Sequence, residues 1–111
     1  MPQQQYQTCI DACNECVQAC EECVSNCCTQ SNLADCTRLC MDCATVCSTC
    51  VTLLSRGSQF ASNLCGVCAE ICEACATECE KHSDRDYCQR CAQACRRCAE
   101  ECGKIAGAAA A

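Results

Sequence analysis

Residues 9–27 read CIDACNECVQACEECVSNC, in which cysteine returns at alternating intervals of four and three residues. A mean interval of about three and a half residues is the heptad spacing of the buried face of a packed α-helix, where leucine and isoleucine normally stand. Protonated cysteine behaves as a small hydrophobe and can occupy such positions. The stretch therefore predicts a helix whose core-facing positions are thiols.

The same rhythm returns in three further runs, and the chain contains 22 cysteines in 111 residues. Cys28 alone stands outside it. The four runs are Cys9, Cys13, Cys16, Cys20, Cys23, Cys27; Cys36, Cys40, Cys43, Cys47, Cys50; Cys65, Cys68, Cys72, Cys75, Cys79; and Cys88, Cys91, Cys95, Cys98, Cys102.

Helix-ending residues interrupt the rhythm between the runs. Gly57 suits the left-handed residue that closes a helix, and Ser58 can cap the next one. Short connections make successive helices antiparallel. We predict an all-α fold, an antiparallel up-down-up-down four-helix bundle with a cysteine-lined core, as a single domain over residues 1–111. The tail from Gly103 to Ala111 is expected to fray. The predicted helices lie at roughly 4–28, 33–55, 59–81 and 84–106.

Composition and charge exclude several classes of partner. Charged residues make up 20% of the chain and the net charge is −6, with no basic run that would indicate nucleic-acid binding. No uninterrupted apolar segment of membrane-spanning length is visible, so we expect no membrane partner. Residues 1–8 have neither a positive region nor an apolar stretch, which argues against a secretory signal. We therefore expect a cytoplasmic protein with reduced thiols.

The two ends of the predicted bundle differ. Past the last cysteines at one end, the next inward positions and their neighbours carry hydrocarbon: Tyr6, Leu53, Leu54, Phe60, Ala61 and Ile105. At the other end the corresponding residues are Gln30, Leu33, His82 and Asp84. This second end is predicted to be polar and to be the route of entry. His82 can either stabilise the end of its own helix or serve as a metal ligand or entry residue.

A second apolar stripe flanks the cysteines. We interpret it as core packing between helices, or as support for a subunit interface. Its members are Ile10, Val17, Val24, Leu39, Val46, Leu53, Leu64 and Ile71.

Eight Cys-x-x-Cys pairs on four helices form a specific metal-binding signal. Residues three apart share one helix face, so their sulfurs can converge on one ion. Thiolates without histidine or carboxylate select Cu(I), zinc or iron–sulfur clusters. Zinc prefers closed groups of four ligands, into which a continuous row of sulfurs has no obvious division, whereas Cu(I) accepts two or three. One monovalent ion per thiolate also neutralises the core, which predicts a capacity of order ~10–20 Cu(I) ions.

The run from Cys9 to Cys102, including CAEICEAC at 68–75 and CQRCAQAC at 88–95, resembles the cytosolic branch of the bacterial copper storage proteins. These are cysteine-lined four-helix bundles that hold many Cu(I) ions. The resemblance implies Cu(I) held mainly by paired thiolates, entry from one end, and a homotetramer. The predicted ligands are all cysteines of the four runs, with His82 as the histidine that the family carries near its open end. Copper chaperones or copper enzymes are the expected exchange partners, and the position of Cys28 off the pattern makes it a doubtful ligand.

Two alternatives to Cu(I) storage remain open. One is a zinc or cadmium thiolate buffer resembling metallothionein, and the other is a disulfide-linked structural scaffold. A thiol redox enzyme is the least favoured interpretation, because such enzymes use one activated Cys-x-x-Cys pair and nothing here singles out one pair. We therefore predict storage and no enzymatic activity.

Overall fold

The structure is a computed structural model and describes residues 3–110. Within them lie four α-helices, α1 (Gln3–Cys27), α2 (Ala34–Arg56), α3 (Ala61–Glu80) and α4 (Asp86–Ala110), and a short 3₁₀ turn at Ser31–Leu33. Connections of a few residues reverse the chain between helices, so neighbours run antiparallel. Helix α1 packs against α2 and α4, and α3 packs against the same two helices. The result is the predicted up-down-up-down bundle, measuring 42 × 20 × 18 Å.

The connection between α2 and α3 follows the predicted turn chemistry. Gly57 has φ 65° and ψ 37°, the left-handed conformation in which a side chain is strained. The Gly57 N–H donates to the Leu54 carbonyl at 3.1 Å and the Ser58 N–H to the Leu53 carbonyl at 2.9 Å. This pair of bonds is a Schellman motif, which satisfies carbonyls that the helix end leaves free. The Ser58 hydroxyl then accepts a bond from the Phe60 N–H, just before α3 begins.

The C-terminal tail differs from the prediction. The tail from Gly103 was expected to fray, with the fourth helix ending near residue 106, but α4 continues to Ala110. Alanine has the highest intrinsic helix propensity, so a tail rich in alanine extends a helix that already exists. Ile105, which is fully buried, anchors this last part of α4 against the bundle.

Segment 31–56 requires a correction to the expectation about membrane spans. By length and composition it is apolar enough to cross a membrane, since an 18-residue window within it has a mean hydropathy of 1.2. Cysteine raises this value, and the cysteines of α2 are all fully buried against the other helices. A buried core helix meets the same criterion as a membrane span, and we attribute the apolar composition of α2 to its place in the bundle.

Charged side chains lie outside the bundle and join its neighbouring helices. Arg90 of α4 contacts Glu22 of α1, and Arg97 contacts Glu15 of the same helix. Arg96 pairs with Glu80 of α3 at 2.8 Å. Exposed pairs of this kind add little free energy each. They place opposite charges on facing helices and leave the interior to uncharged residues.

Two glycine substitutions test the role of the α2–α3 turn. Gly57→Ala should destabilise the protein by about 1 kcal/mol, because alanine is strained at a left-handed φ. Gly103→Ala is the matched control, since Gly103 is exposed inside α4 and an added Cβ would meet no atom within 4 Å. That change should stabilise the protein by up to about 1 kcal/mol. Urea unfolding of the reduced proteins measures both, and equal effects of the two changes would contradict the assignment.

Candidate metal centre

Each helix contributes one stripe of cysteines to the bundle axis. Every cysteine of the four runs has 0% of its surface exposed, whereas Cys28 is exposed. The heptad spacing explains this arrangement, because alternating steps of three and four residues keep one face of a helix turned to its partners. We call this buried set, all cysteines except Cys28, the thiol core. The structure thus brings together all the cysteines that the sequence pattern selects.

Apart from Cys50 and Cys65, the sulfur atoms of the thiol core are joined in one continuous network of contacts. Near one end, Cys9 Sγ lies 3.5 Å from Cys102 Sγ, and near the other, Cys23 Sγ lies 3.5 Å from Cys27 Sγ. Sulfur–sulfur contacts of 3.5 to 4.0 Å connect these two ends through cysteines of all four helices. The longest of these contacts joins Cys16 to Cys20. Any metal ion bound to one group of sulfurs is therefore a close neighbour of the next group.

Parts of the thiol core also form groups of four, which the spacing along each helix does not indicate. Several quartets have all four sulfurs within 4.8 Å of one another. Four of these quartets share no member: Cys13, Cys68, Cys98, Cys102; Cys16, Cys43, Cys47, Cys72; Cys20, Cys40, Cys75, Cys91; and Cys23, Cys27, Cys36, Cys88. Groups of four are therefore available, but they are not separate cages, because Cys16, Cys20, Cys43 and Cys95 form a quartet that shares members with two others. Sequence spacing describes one helix at a time, whereas a quartet depends on the relative height of neighbouring helices.

Alanines beside the cysteines are part of the centre, and sequence reasoning missed them. Ala12, Ala76 and Ala92 are at most 3% exposed, and each adjoins a cysteine of the thiol core in sequence. A methyl side chain at these positions lets helices approach closely enough for sulfurs on different helices to touch. The available signal was the repeated Ala–Cys or Cys–Ala pair.

Burial favours the protonated form of the thiols at the Cys27 and Cys88 end of the core in the metal-free protein. Desolvation raises the pKa of Cys88 to about 12, and it also raises the pKa of Cys27. Loss of water penalises a thiolate more than a thiol, so the neutral form is favoured inside the bundle. Metal ions that bind here must displace these protons.

One end of the thiol core is closed by hydrocarbon, as the sequence predicts. Leu54 is 3% exposed, and Ala61 and Ile105 are 1% and 0% exposed. Tyr6 and Leu53 pack partly buried against the core. Phe60 is the exception, because 56% of its surface is exposed and it takes no part in the closure. We call this the apolar end.

The opposite end is polar at its surface but not beneath it. Leu33, the third residue of the 3₁₀ turn, is fully buried at the inward position that the sequence pattern predicts, so an apolar side chain lies beneath the polar ones. Above it the Gln30 side chain donates to the Tyr87 hydroxyl at 3.1 Å and accepts from Arg85 at 3.1 Å. This network joins the α1–α2 connection to the start of α4. We call this region the polar end.

His82 lies at the polar end beside a carboxylate. Its Nε2 is 3.2 Å from Glu78 Oε2, and its backbone N–H donates to the Cys79 carbonyl at 3.0 Å. The second bond satisfies a carbonyl at the end of α3, but it involves only the backbone and does not test the role of the imidazole. The side chain is 17% exposed, and its ring is engaged by Glu78. Both interpretations of His82 therefore stay open at the level of geometry.

Most flanking apolar residues pack against the thiol core as expected. Val46 is buried, and the rest of the stripe is partly buried: Ile10, Val17, Val24, Leu39, Leu53, Leu64 and Ile71. Met41, one position from its cysteine stripe, is 52% exposed and contributes little to the interior.

Comparison with known proteins identifies the family. The family model for copper storage proteins matches residues 2–107. The chain belongs to the copper storage protein family. No curated protein sequence matches it significantly.

Solved structures of the family share the fold closely. Metal-free copper storage protein 3 from Bacillus subtilis is 45% identical with a TM-score of 0.85, and the match covers 90% of this chain and 97% of that one. The Cu(I)-bound form of the Bacillus protein is 44% identical with a TM-score of 0.87, covering 92% of this chain and 98% of that one. A cytosolic copper storage protein from Streptomyces lividans, carrying five coppers, is 33% identical with a TM-score of 0.89. That match covers 95% of this chain and 94% of the Streptomyces chain.

Alkaline pH should destabilise the metal-free protein. The unfolded chain releases its thiol protons near the ordinary pKa of 9.0, whereas Cys88 in the fold holds its proton to about pH 12. Stability from this group is therefore fully present below pH 9 and is lost as the pH rises towards 12. Cys88 alone should cost on the order of 2 kcal/mol at about pH 10.5.

Urea unfolding of the reduced, metal-free protein at neutral and alkaline pH measures this loss. Cys88→Ala serves as the comparison, because it removes one of the buried thiols and should show a shallower fall. Equal slopes for the two proteins, or stability that rises with pH, would contradict the protonated core.

Proposed function

We propose that this chain stores and buffers Cu(I) in the cytosol, with the thiol core as the ligand set. The observation that carries the proposal is the unbroken chain of buried sulfur contacts from Cys9 to Cys27. Family membership supports it, since relatives with the same fold are a Cu(I)-bound storage protein and a cytosolic storage protein loaded with copper. The whole chain, residues 1–111, acts in this proposal as one storage domain with no enzymatic activity.

Charge explains why a monovalent ion suits this core. Within the described residues no charged or polar side chain is buried, so nothing in the protein neutralises many thiolates at once. Unpaired charge in such a medium is strongly unfavourable. A Cu(I) ion that replaces one proton on one thiol leaves the local charge at zero. Soft thiolate ligands also match the preference of Cu(I).

We propose that copper enters at the polar end and that His82 takes part in its transfer. The apolar end is closed by Leu54, Ala61 and Ile105, whereas polar side chains cover the other end. His82 sits beside Cys79, the last thiol-core cysteine of α3. A homotetramer, with copper chaperones or copper enzymes as exchange partners, completes the proposal.

Titration of the reduced protein with Cu(I) under anaerobic conditions tests the storage function. Thiolate-to-copper charge-transfer absorption should rise until about 10–20 ions are bound. Saturation after only a few ions would overturn the proposal. Zinc present as a competitor should be displaced, which separates Cu(I) storage from a zinc or cadmium buffer.

Serine substitutions identify which cysteines hold copper. Cys43→Ser, in the centre of the thiol core, should lower the number of Cu(I) ions bound, because Cys43 Sγ lies 3.5 Å from Cys72 and 3.6 Å from Cys16. Cys28→Ser is the matched control and should leave the capacity unchanged, since Cys28 is exposed and outside the core. An equal loss in the two variants would contradict the assignment of the core as the ligand set.

His82→Ala separates the two interpretations of the histidine. A transfer role predicts slower Cu(I) uptake from a small-molecule copper complex, with the final capacity unchanged. A purely structural role at the helix end predicts lower thermal stability and an unchanged uptake rate. Stopped-flow absorbance and circular dichroism on the same samples measure the two outcomes.

A further inference from the structure

The quartet nearest the polar end has the geometry of a tetrahedral metal site. Cys23 Sγ lies 3.5 Å from Cys27, 3.8 Å from Cys36 and 3.8 Å from Cys88. All four sulfurs lie within 4.8 Å of one another, and all four residues are fully buried. We call these residues the polar-end quartet. They come from α1, α2 and α4.

These separations match those required by zinc. Four thiolates at about 2.3 Å from a zinc ion stand about 3.8 Å apart at the corners of a tetrahedron. The contacts of Cys23 already have this spacing, so small side-chain movements suffice to close the shell. The other disjoint quartets have similar sulfur contacts, for example 3.6 Å between Cys40 and Cys75. Distance alone therefore does not select one quartet.

Charge selects the polar-end quartet. A divalent ion with four thiolates carries a net charge of −2, which is costly among the uncharged side chains of the bundle centre. Cys36 is the third residue of α2 and Cys88 the third residue of α4, so two of the four sulfurs lie at helix N-termini, where the helix dipole favours negative charge. Cys23 and Cys27 lie at the C-terminal end of α1, where the dipole opposes it, so the main advantage of this quartet is its place at the polar end of the bundle. The opposing carbonyls at the end of α1 are engaged, since Val24 and Cys27 accept bonds from the backbone N–H groups of Cys28 and Gln30.

A cationic side chain adds to the positive electrostatic potential at the polar end. Arg85 crosses the polar end and donates to Gln30, while its other terminal nitrogen pairs with Asp84 at 3.0 Å. The carboxylates at the two helix starts, Asp35 and Asp86, are exposed to water, which screens them. The polar end is thus the part of the thiol core best suited to an anionic metal–thiolate group.

We propose that the polar-end quartet is a tetrahedral site for Zn²⁺ in protein whose thiol core is not filled with copper. Binding converts four thiols and one Zn²⁺ into a tetrathiolate complex and releases four protons to solvent. The ion would join α1, α2 and α4 at the end through which copper is proposed to enter. This proposal depends on the proposed function in one respect, which is that zinc and Cu(I) compete for these four sulfurs.

Co²⁺ provides a spectroscopic probe for this site. Reduced, metal-free full-length protein titrated anaerobically with Co²⁺ should develop the intense visible bands of tetrahedral cobalt–thiolate coordination, saturating at one equivalent. Addition of Zn²⁺ should remove the bands. Absence of tetrahedral bands, or several equivalents bound with equal intensity, would overturn the proposal.

Matched serine variants locate the bound ion. Cys88→Ser should reduce the band intensity at one equivalent at least tenfold, whereas Cys65→Ser should retain it. Both changes replace a fully buried thiol with a hydroxyl, and Cys65 lies near Cys9 and Cys102 at the apolar end. Equal losses in the two variants would overturn the placement.

Arg85→Gln should weaken Zn²⁺ binding several-fold without changing the cobalt spectrum, and an unchanged affinity would overturn the charge argument.

Cu(I) titration of the same proteins distinguishes this proposal from the storage function. A high Cu(I) capacity without tetrahedral cobalt bands would overturn the zinc site alone. Intact cobalt bands with a capacity of only a few Cu(I) ions would overturn copper storage and leave the zinc site standing.

Discussion

Contact between sulfur atoms of different helices is the constraint on which the bundle depends. Separations of 3.5–4.0 Å along the axis hold the helices close together, and buried alanines such as Ala12 and Ala76 permit that approach. Larger aliphatic side chains at the same heptad positions would fill a wider core and move the helices apart. The packing that builds the fold therefore also places the donor atoms within reach of a shared ion.

The same constraint limits the stability of the metal-free protein. A cysteine buries less apolar surface than the leucine that commonly occupies its position, so each contributes less hydrophobic free energy. Leu33 and Ile105 are both fully buried, and each lies at one end of the thiol core. They do not fill the middle of the core. Since the core depends on protonated thiols, its stability is tied to their ionisation. Bound metal ions would join helices that are otherwise held by small side chains.

The sequence pattern predicts the fold well because the spacing of cysteines along each helix identifies the buried face of that helix. The seven-residue rhythm identifies the thiol core, and Gly57 identifies the end of α2. The division of sulfurs into quartets could not be read this way, because it depends on how far one helix is shifted along its neighbour. Leu33 was placed correctly at an inward position, where the 3₁₀ turn buries it. The extent of α4 was misjudged because local propensity continued the helix beyond its last cysteine.

The separation of an uncharged interior from a charged exterior has a consequence for how the protein presents its cargo. When a monovalent ion replaces a thiol proton, the formal net charge of −6 does not change. The isoelectric point and electrophoretic mobility of an empty and a copper-filled molecule should then be nearly the same. A partner that distinguishes the empty from the copper-filled molecule must detect rigidity or the arrangement of the polar end, because the surface potential of the two forms is nearly the same.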